Sequence, residues 1–319
     1  MQKTVHNPIR PSALRLTRAQ AYFQRMGRYW QIYVLMLAGI LFYIIFKLLP
    51  IWGLGTAFVD FSIGKGLLAS RFAGLKHFRN FLGSSHFPRL LRNTLVISSM
   101  DLFLAFPIPI ILSLLLNELR SAKFKRLTQS IIYMPHFMSW VVIASLTFFL
   151  FSTDVGIINK LIMKLGGQAY PLLTTQDSFW WVLLGQSIWK EMGWGTIIYL
   201  AAISQVDQGL YEAAIVDGAG RFKQVLHVTI PSIMPTLIVM FLMKLGKLMN
   251  VSFEQVWMMT NDMVRNVAET FETYSFRVGV QMGNYSVGAT VGLFKSLIGV
   301  ALVVISNWMI KKTGHDGIY

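Results

Sequence analysis

The chain has 319 residues, of which 54% are hydrophobic and only 13% are charged, and its mean hydropathy is +0.53. This composition excludes a soluble domain, which must cover its surface with polar groups, and it favours a polytopic membrane protein. The net charge of +15 comes from Lys and Arg residues that cluster beside apolar runs. Anionic lipid headgroups and the positive-inside rule account for that clustering, so we expect no nucleic-acid partner.

The N-terminal residues 1–30 carry six basic side chains and no acidic one, which predicts a cytosolic arm. Whether part of this arm is an interfacial helix or a frayed tail stays open. The first apolar run, at about 31–49, is long enough to cross a bilayer. No cleavage site follows it at the usual distance, so we expect this run to act as its own insertion signal. The following segment, to about residue 93, is predicted to be external.

Five more spans are predicted, at about 94–116, 131–151, 179–203, 230–251 and 287–310. Six spans place both termini in the cytosol and account for the whole length of the chain. The predicted fold class is therefore all-α, a polytopic membrane protein with six transmembrane helices. We expect residues 1–319 to form a single transmembrane domain.

A polar stretch at 209–230 interrupts this apolar chain. Ala213 and Ala214 give a short helix a small apolar face that can seat closely in a groove. Gly218 has no Cβ, so it can end that helix in a turn at positive φ. A second helical period starts near Phe222 and leads into the next apolar run. The pattern predicts a helix-turn-helix loop, although an ordinary connection between two spans would also fit it.

Glu212-Ala213-Ala214, Gly218 and Pro231 stand at the spacing of a longer known motif. The stretch resembles the EAA loop of binding-protein-dependent ABC importer permeases, with Val228 and Ile230 replacing the Ile and Leu of that family. The resemblance implies a cytosolic coupling loop that docks on an ATPase subunit. The implied coupling residues are Glu212, Ala213, Ala214, Asp217, Gly218, Ala219 and Phe222.

Ionisable residues also occur inside the predicted spans. Such groups are costly when they face lipid, so they normally face a cavity or a partner. The rise along each helix places the charged ones in one layer of the outer half of the bundle. We expect this layer to line the translocation cavity, and its excess of lysine suits an acidic oligosaccharide such as a uronate chain. The candidate substrate-pathway residues are Asp101, Lys190, Trp194, Lys244, Lys247 and Lys295.

A second interpretation of these charges involves no substrate. Lys190 would pair with Glu191 or Asp101, and the other lysines would extend to a membrane interface.

Catalytic and metal-binding motifs are missing from the sequence. The chain has no Gly-x-x-x-x-Gly-Lys-Ser/Thr phosphate loop, no cysteine and no His/Glu cluster at zinc spacing. We therefore expect no enzymatic activity, no metal and no cofactor in this chain, with ATP and Mg²⁺ bound by the partner ATPase.

Several further segments resemble the carbohydrate subgroup of the permease family, especially the members that serve oligo- and polysaccharides. They are 114–118, Tyr133-Met134-Pro135-His136-Phe137, 199–203, 277–279 and 283–286. The resemblance implies import by alternating access across the bacterial inner membrane. The implied partners are a second permease, an ATPase dimer and an extracytoplasmic solute-binding protein. An amino-acid or peptide permease and a non-transport membrane scaffold are the alternatives.

Overall fold

The computed structural model describes residues 29–312, so the predicted basic arm at 1–30 lies almost entirely outside the described residues, as does the end of the chain. The chain divides into two compact units, Met1–Leu54 and Gly55–Tyr319. The described part of the first unit begins with helix α1, Trp30–Tyr43, which has no buried side chain.

Helices make up most of the second unit. In chain order they are α2 Lys76–Leu82, α3 His86–Met100, α4 Pro107–Asn117, α5 Ala122–Tyr133, α6 Trp140–Phe151, α7 Ile157–Lys164, α8 Gln176–Ile203, α9 Gln208–Val216, α10 Arg221–Gln224, α11 Ile230–Gly246, α12 Phe253–Met259, α13 Arg265–Ala268, α14 Phe271–Ser275 and α15 Tyr285–Lys312.

Short π- and 3₁₀-helical segments extend or join several of these helices. They are Ile44–Leu48, Leu49–Phe58, Asp101–Ala105, Met134–Phe137, Val225–Thr229 and Phe276–Gln281. Through them, four continuous helices become long and apolar enough to cross a membrane: Trp30–Phe58, His86–Asn117, Arg221–Gly246 and Tyr285–Lys312. The all-α membrane fold is confirmed. The second helix of the coupling loop is also shown to be the first part of the fifth predicted span.

The predicted third span, at about 131–151, is interrupted by a sharp bend. The chain bends by 102° between Ala122–Phe137 and Trp140–Phe151. Pro135 explains the break, because its ring cannot continue an α-helix and restricts the residue before it. Ser139 then caps the new helix, accepting a hydrogen bond from the backbone N–H of Val142 at 3.3 Å.

The predicted fourth span is helix α8, which has 28 residues and is therefore about 42 Å long at 1.5 Å per residue. Its length is sufficient, but polar residues such as Asp177, Lys190 and Glu191 lower its hydropathy. By length and composition, the described residues contain four spans, or five if the bent pair counts as one. The total of six spans stays a prediction.

A small two-stranded sheet lies before helix α2, where the sequence predicts an external loop. Strand β1, Val59–Asp60, pairs antiparallel with strand β2, Arg71–Phe72. Asp60 accepts a hydrogen bond from the Lys76 ammonium at 2.9 Å, and this bond lowers the pKa of Asp60. The Ser286 hydroxyl donates to the carbonyl of Val59 at 2.7 Å, which fixes the sheet to the start of α15.

Close backbone approaches assemble the helices around α8. A Cβ on Gly193 would lie 2.2 Å from the carbonyl oxygen of Ile132 on α5, and a Cβ on Gly195 would lie 2.7 Å from Pro109 on α4. Only glycine permits these contacts, so α8 holds the neighbouring helices at short distance. The charged residues of α8 therefore lie among several helices.

Candidate functional site

The predicted coupling loop forms a helix-turn-helix. The Asp207 carboxylate accepts a hydrogen bond from the backbone N–H of Gly209 at 2.9 Å and so caps α9. The helix ends where Gly218 adopts φ +74°, and the N–H of Ala219 closes the turn by donating to the carbonyl of Ala214 at 2.8 Å. The predicted positive φ of Gly218 is confirmed, and its reason is the absence of a Cβ.

The coupling residues lie on the surface. Glu212, Ala213, Asp217, Gly218 and Phe222 are exposed, whereas Ala214 and Ala219 are half-buried. Phe222 is 79% exposed and its neighbour in the loop Val216 is 87% exposed. Large apolar groups clustered on a loop typically mark a protein–protein contact. The loop thus presents an apolar surface that nothing in the described residues covers.

Two polar contacts hold the parts of this loop together and a third joins it to the bundle, and sequence reasoning missed all three. The hydroxyl groups of Tyr211 and Thr229 are 2.9 Å apart. The Gln224 side-chain amide donates to the carbonyl of Ala219 at 2.8 Å. Arg221 and Glu118 form an ion pair of 3.4 Å, which joins the loop to the end of α4. The loop is therefore joined by an ion pair to the end of a membrane-length helix.

One charge cluster, here called the Asp101 cluster, joins three predicted spans. Asp101 forms an ion pair with the Lys244 ammonium at 2.8 Å and accepts a hydrogen bond from the Ser187 hydroxyl at 2.9 Å. The side chains of Asp101 and Lys244 are each about one-third exposed. The pair is therefore only partly buried, and it links α11 to the π-helical segment Asp101–Ala105 that follows α3.

Lys190 stabilises the broken third span. Its ammonium donates to the carbonyls of His136 at 2.8 Å and Met138 at 2.5 Å, both of which the helix break leaves without helical partners. Lys190 also lies 5.5 Å from the ring centroid of Trp140. Neither of the predicted alternative partners, Glu191 or Asp101, pairs with it. A buried ammonium needs such acceptors, and the bend supplies them.

Aromatic side chains stack beside Lys190. Trp194 lies parallel to His136 with ring centroids 4.9 Å apart and to Tyr133 at 6.1 Å. Trp194 remains 46% exposed, and the carboxylate of Glu191 lies 3.2 Å from His136. An exposed aromatic face beside a carboxylate can stack on a sugar ring and accept hydrogen bonds from its hydroxyl groups.

The two remaining candidate lysines differ from each other. The Lys295 ammonium forms an ion pair with the carboxylate of Glu272 on α14. Lys247 follows the last residue of α11, is exposed, and has no side-chain partner among residues 29–312. The charged residues that were predicted to form one layer therefore lie in separate clusters and have different partners. That this layer lines a translocation cavity stays a prediction.

Metal ligands are not grouped in the part of the chain that the structure describes. No set of three or more His, Cys, Asp or Glu residues there could hold a metal ion.

The geometry defines a membrane bundle with an exposed helix-turn-helix, and comparisons with known proteins agree. The family model described as "Binding-protein-dependent transport system inner membrane component" matches residues 105–313. The chain belongs to this family.

Two relatives from Bacillus subtilis (strain 168) align over most of both chains. The chain is 48% identical to Protein LplB over 288 residues, which cover 90% of this chain and 91% of that protein. It is 44% identical to the polygalacturonan/rhamnogalacturonan transport system permease protein YteP, with 90% of each chain covered. Among solved structures, a chain of a bacterial alginate ABC transporter, in complex with an alginate pentasaccharide-bound periplasmic protein, is 31% identical. That comparison has a TM-score of 0.84 and covers 93% of this chain and 99% of the other.

Proposed function

We propose that this chain is a transmembrane permease subunit of an ATP-driven ABC importer for oligo- or polysaccharides, most specifically acidic ones that contain uronates. The exposed coupling loop carries the proposal, because its apolar residues form a surface for a partner at the end of a continuous membrane-length helix. Relatives named for polygalacturonan and alginate support the acidic substrate class. No specific observation favours the amino-acid permease or the scaffold.

The assembly follows from the family. The chain would pair with a second permease in the bacterial inner membrane, with both termini in the cytosol. An ATPase dimer would bind ATP and Mg²⁺ and dock on the coupling loop, because this chain has no phosphate loop of its own. A solute-binding protein on the opposite side would deliver the oligosaccharide.

One helix connects the proposed docking surface with the charged interior. Phe222 and Lys244 belong to the same continuous helix, Arg221–Gly246, and lie about 33 Å apart at 1.5 Å per residue. A movement of the ATPase at Phe222 would shift Lys244 relative to Asp101. The ion pair would then be one contact that differs between the two states of an alternating-access cycle.

The interior also offers groups that suit a uronate chain. Lys244 and Lys247 could bind carboxylates, and the exposed face of Trp194 could stack on a sugar ring. Lys190 contributes indirectly. Its hydrogen bonds to two carbonyls hold the bend in place, and His136 of this bend stacks on Trp194 of α8.

The proposal is tested by Gly218→Glu in the transporter reconstituted with its ATPase and solute-binding protein. A side chain at φ +74° is strained by about 1–2 kcal/mol and would distort the docking surface. Uptake and substrate-stimulated ATP hydrolysis should become uncoupled. Gly166→Glu is the matched control, because Gly166 also has positive φ, at +86°, and open space around it but lies in another loop. Wild-type uptake by Gly218→Glu would contradict the proposed coupling.

A further inference from the structure

A cluster of arginines lies at the opposite end of the bundle from the coupling loop. Arg89 and Arg92 occupy the first two turns of the continuous helix His86–Asn117. Arg92 lies about 38 Å from the Asn117 end at 1.5 Å per residue. The next residue, Glu118, pairs with Arg221 of the coupling loop, so that end is the one that contacts the loop. The arginines would therefore face the side from which the solute-binding protein approaches.

These arginines line a cavity of about 360 Å³, here called the arginine pocket. Its lining residues are Ser85, Pro88, Arg89, Arg92 and Asn266. The cavity is open to solvent and large enough for a sugar residue.

The positive charge around the arginine pocket is only partly neutralised. The carboxylate of Glu269, which is 4% exposed, accepts hydrogen bonds from Arg89 and from Arg277, both at 2.7 Å. This one buried acid therefore serves two guanidinium groups. Arg92 has no acidic partner in the described part of the chain. Its contacts are the neutral oxygens of Asn93 and Asn266, at 3.0 and 3.1 Å.

Arg92 is held in a fixed position and still has a free donor group. Its Nε and Nη2 atoms make the hydrogen bonds to Asn93 and Asn266, which leaves Nη1 without a hydrogen bond among residues 29–312. The guanidinium carbon lies 5.9 Å from the ring centroid of Trp180, which further restricts its orientation. A guanidinium that is already ordered loses less conformational entropy when it binds an anion.

We propose that the arginine pocket is an entry subsite that binds a carboxylate of the acidic oligosaccharide, with Arg92 as the principal ligand. This inference rests on the proposed function for the substrate class and for the orientation of the bundle. The ordered guanidinium of Arg92 and its unused Nη1 donors suit a carboxylate ligand. The excess of positive charge selects a uronate over a neutral sugar, because a carboxylate forms charge-assisted hydrogen bonds with a guanidinium.

The test measures binding of galacturonate and of galactose to the purified transporter complex by saturation-transfer NMR. Removing one charge-assisted hydrogen bond weakens binding by about tenfold or more. We therefore expect Arg92→Gln to raise the Kd for galacturonate by about tenfold and to leave any signal from galactose unchanged. Arg79→Gln is the matched control, because Arg79 is an exposed arginine on α2 that forms no ion pair in the described residues. Arg92→Lys, which keeps the charge, should retain part of the affinity.

A second arm distinguishes the sugar from the solute-binding protein as the ligand. Uptake of trigalacturonate into proteoliposomes is measured against the concentration of loaded binding protein. An entry subsite predicts a lower maximal rate for Arg92→Gln with an unchanged half-saturating concentration. A higher half-saturating concentration, with weaker docking of the empty binding protein, would mean that Arg92 contacts that protein, and this would overturn the subsite.

Two further outcomes separate this inference from the proposed function. Equal galacturonate affinity in Arg92→Gln and Arg79→Gln would overturn the arginine pocket even if the complex transports trigalacturonate. Binding that depends on Arg92, in a wild-type complex that transports no uronate, would support the pocket and contradict the proposed substrate.

Discussion

The coupling loop and the charged interior differ in what surrounds their unusual residues, which are exposed apolar side chains in the loop and charged side chains in the interior. In the loop, Val216 and Phe222 remain 87% and 79% exposed, although both are apolar. In the interior, Lys190 and Lys244 are polar groups among apolar helices, and each has a partner within the chain. No described residue covers these apolar groups of the loop, whereas Lys190 and Lys244 each have a polar partner within the chain.

This difference separates two kinds of function. Exposed apolar groups that cluster on a loop outside the membrane-length helices are typical of a docking surface. A transport pathway cannot be inferred from exposure in the same way, because in the proposed cycle its charged groups would exchange protein partners for substrate. Three substitutions test this contrast, and the first has the largest expected effect.

Phe222→Asp should break the contact between this chain and the ATPase. An aromatic residue at the centre of an interface commonly contributes 2 kcal/mol or more, so the affinity should fall by about 30-fold or more. The free energy of unfolding of the isolated chain should not change, because the Phe222 side chain is 79% exposed and buries little apolar surface. Affinity is measured between the purified permease pair and the ATPase dimer.

The matched control for Phe222 is Leu68→Asp, because Leu68 is 99% exposed and lies in a different loop. If both variants bind the ATPase equally well, the exposed residues of the coupling loop do not form the docking surface.

Much of the loop could be predicted from the sequence, because its determinants are local. A glycine that needs positive φ and two neighbouring alanines act within about ten residues, so their spacing predicts the turn at Gly218. The bend of the third span was also visible in principle, since Pro135 and Ser139 are strong signals. The length of the apolar run concealed it, because hydropathy measures length and not direction.

The partners of the interior charges could not be predicted in this way. Lys190 bonds to the carbonyl of His136, which is 54 residues away, and that carbonyl is free only because the helix breaks there. Lys244 and Asp101 are on helices whose contact depends on the whole bundle. Sequence spacing places such residues at a depth in the membrane but does not determine which of them meet.

Lys190→Met should destabilise the bundle at the bend. The substitution keeps the apolar stem and removes the donor from the carbonyls of His136 and Met138, which costs about 1–3 kcal/mol. The free energy of unfolding is measured on the purified chain in detergent. Lys160→Met is the control, because Lys160 is an exposed lysine on α7.

The alternative for Lys190 is direct contact with substrate. In that case Lys190→Met would have wild-type stability but reduced uptake, and the assignment of Lys190 to the bend would be wrong.

Lys244→Ala should lower uptake of an acidic oligosaccharide by a smaller factor, because its ion pair with Asp101 is about one-third exposed. A partly exposed pair contributes up to about 1 kcal/mol, equivalent to about fivefold in rate. If the pair acts as a unit, adding Asp101→Asn to Lys244→Ala should cause little further loss. The loss of uptake caused by Lys247→Ala should add to the losses caused by Lys244→Ala and Asp101→Asn, because Lys247 has no side-chain partner in the described residues.

Unchanged uptake and unchanged substrate-stimulated ATP hydrolysis in Lys244→Ala and Lys247→Ala would remove both lysines from the substrate pathway. Trp194, Lys295 and the arginine pocket would then remain as candidates for sugar contact.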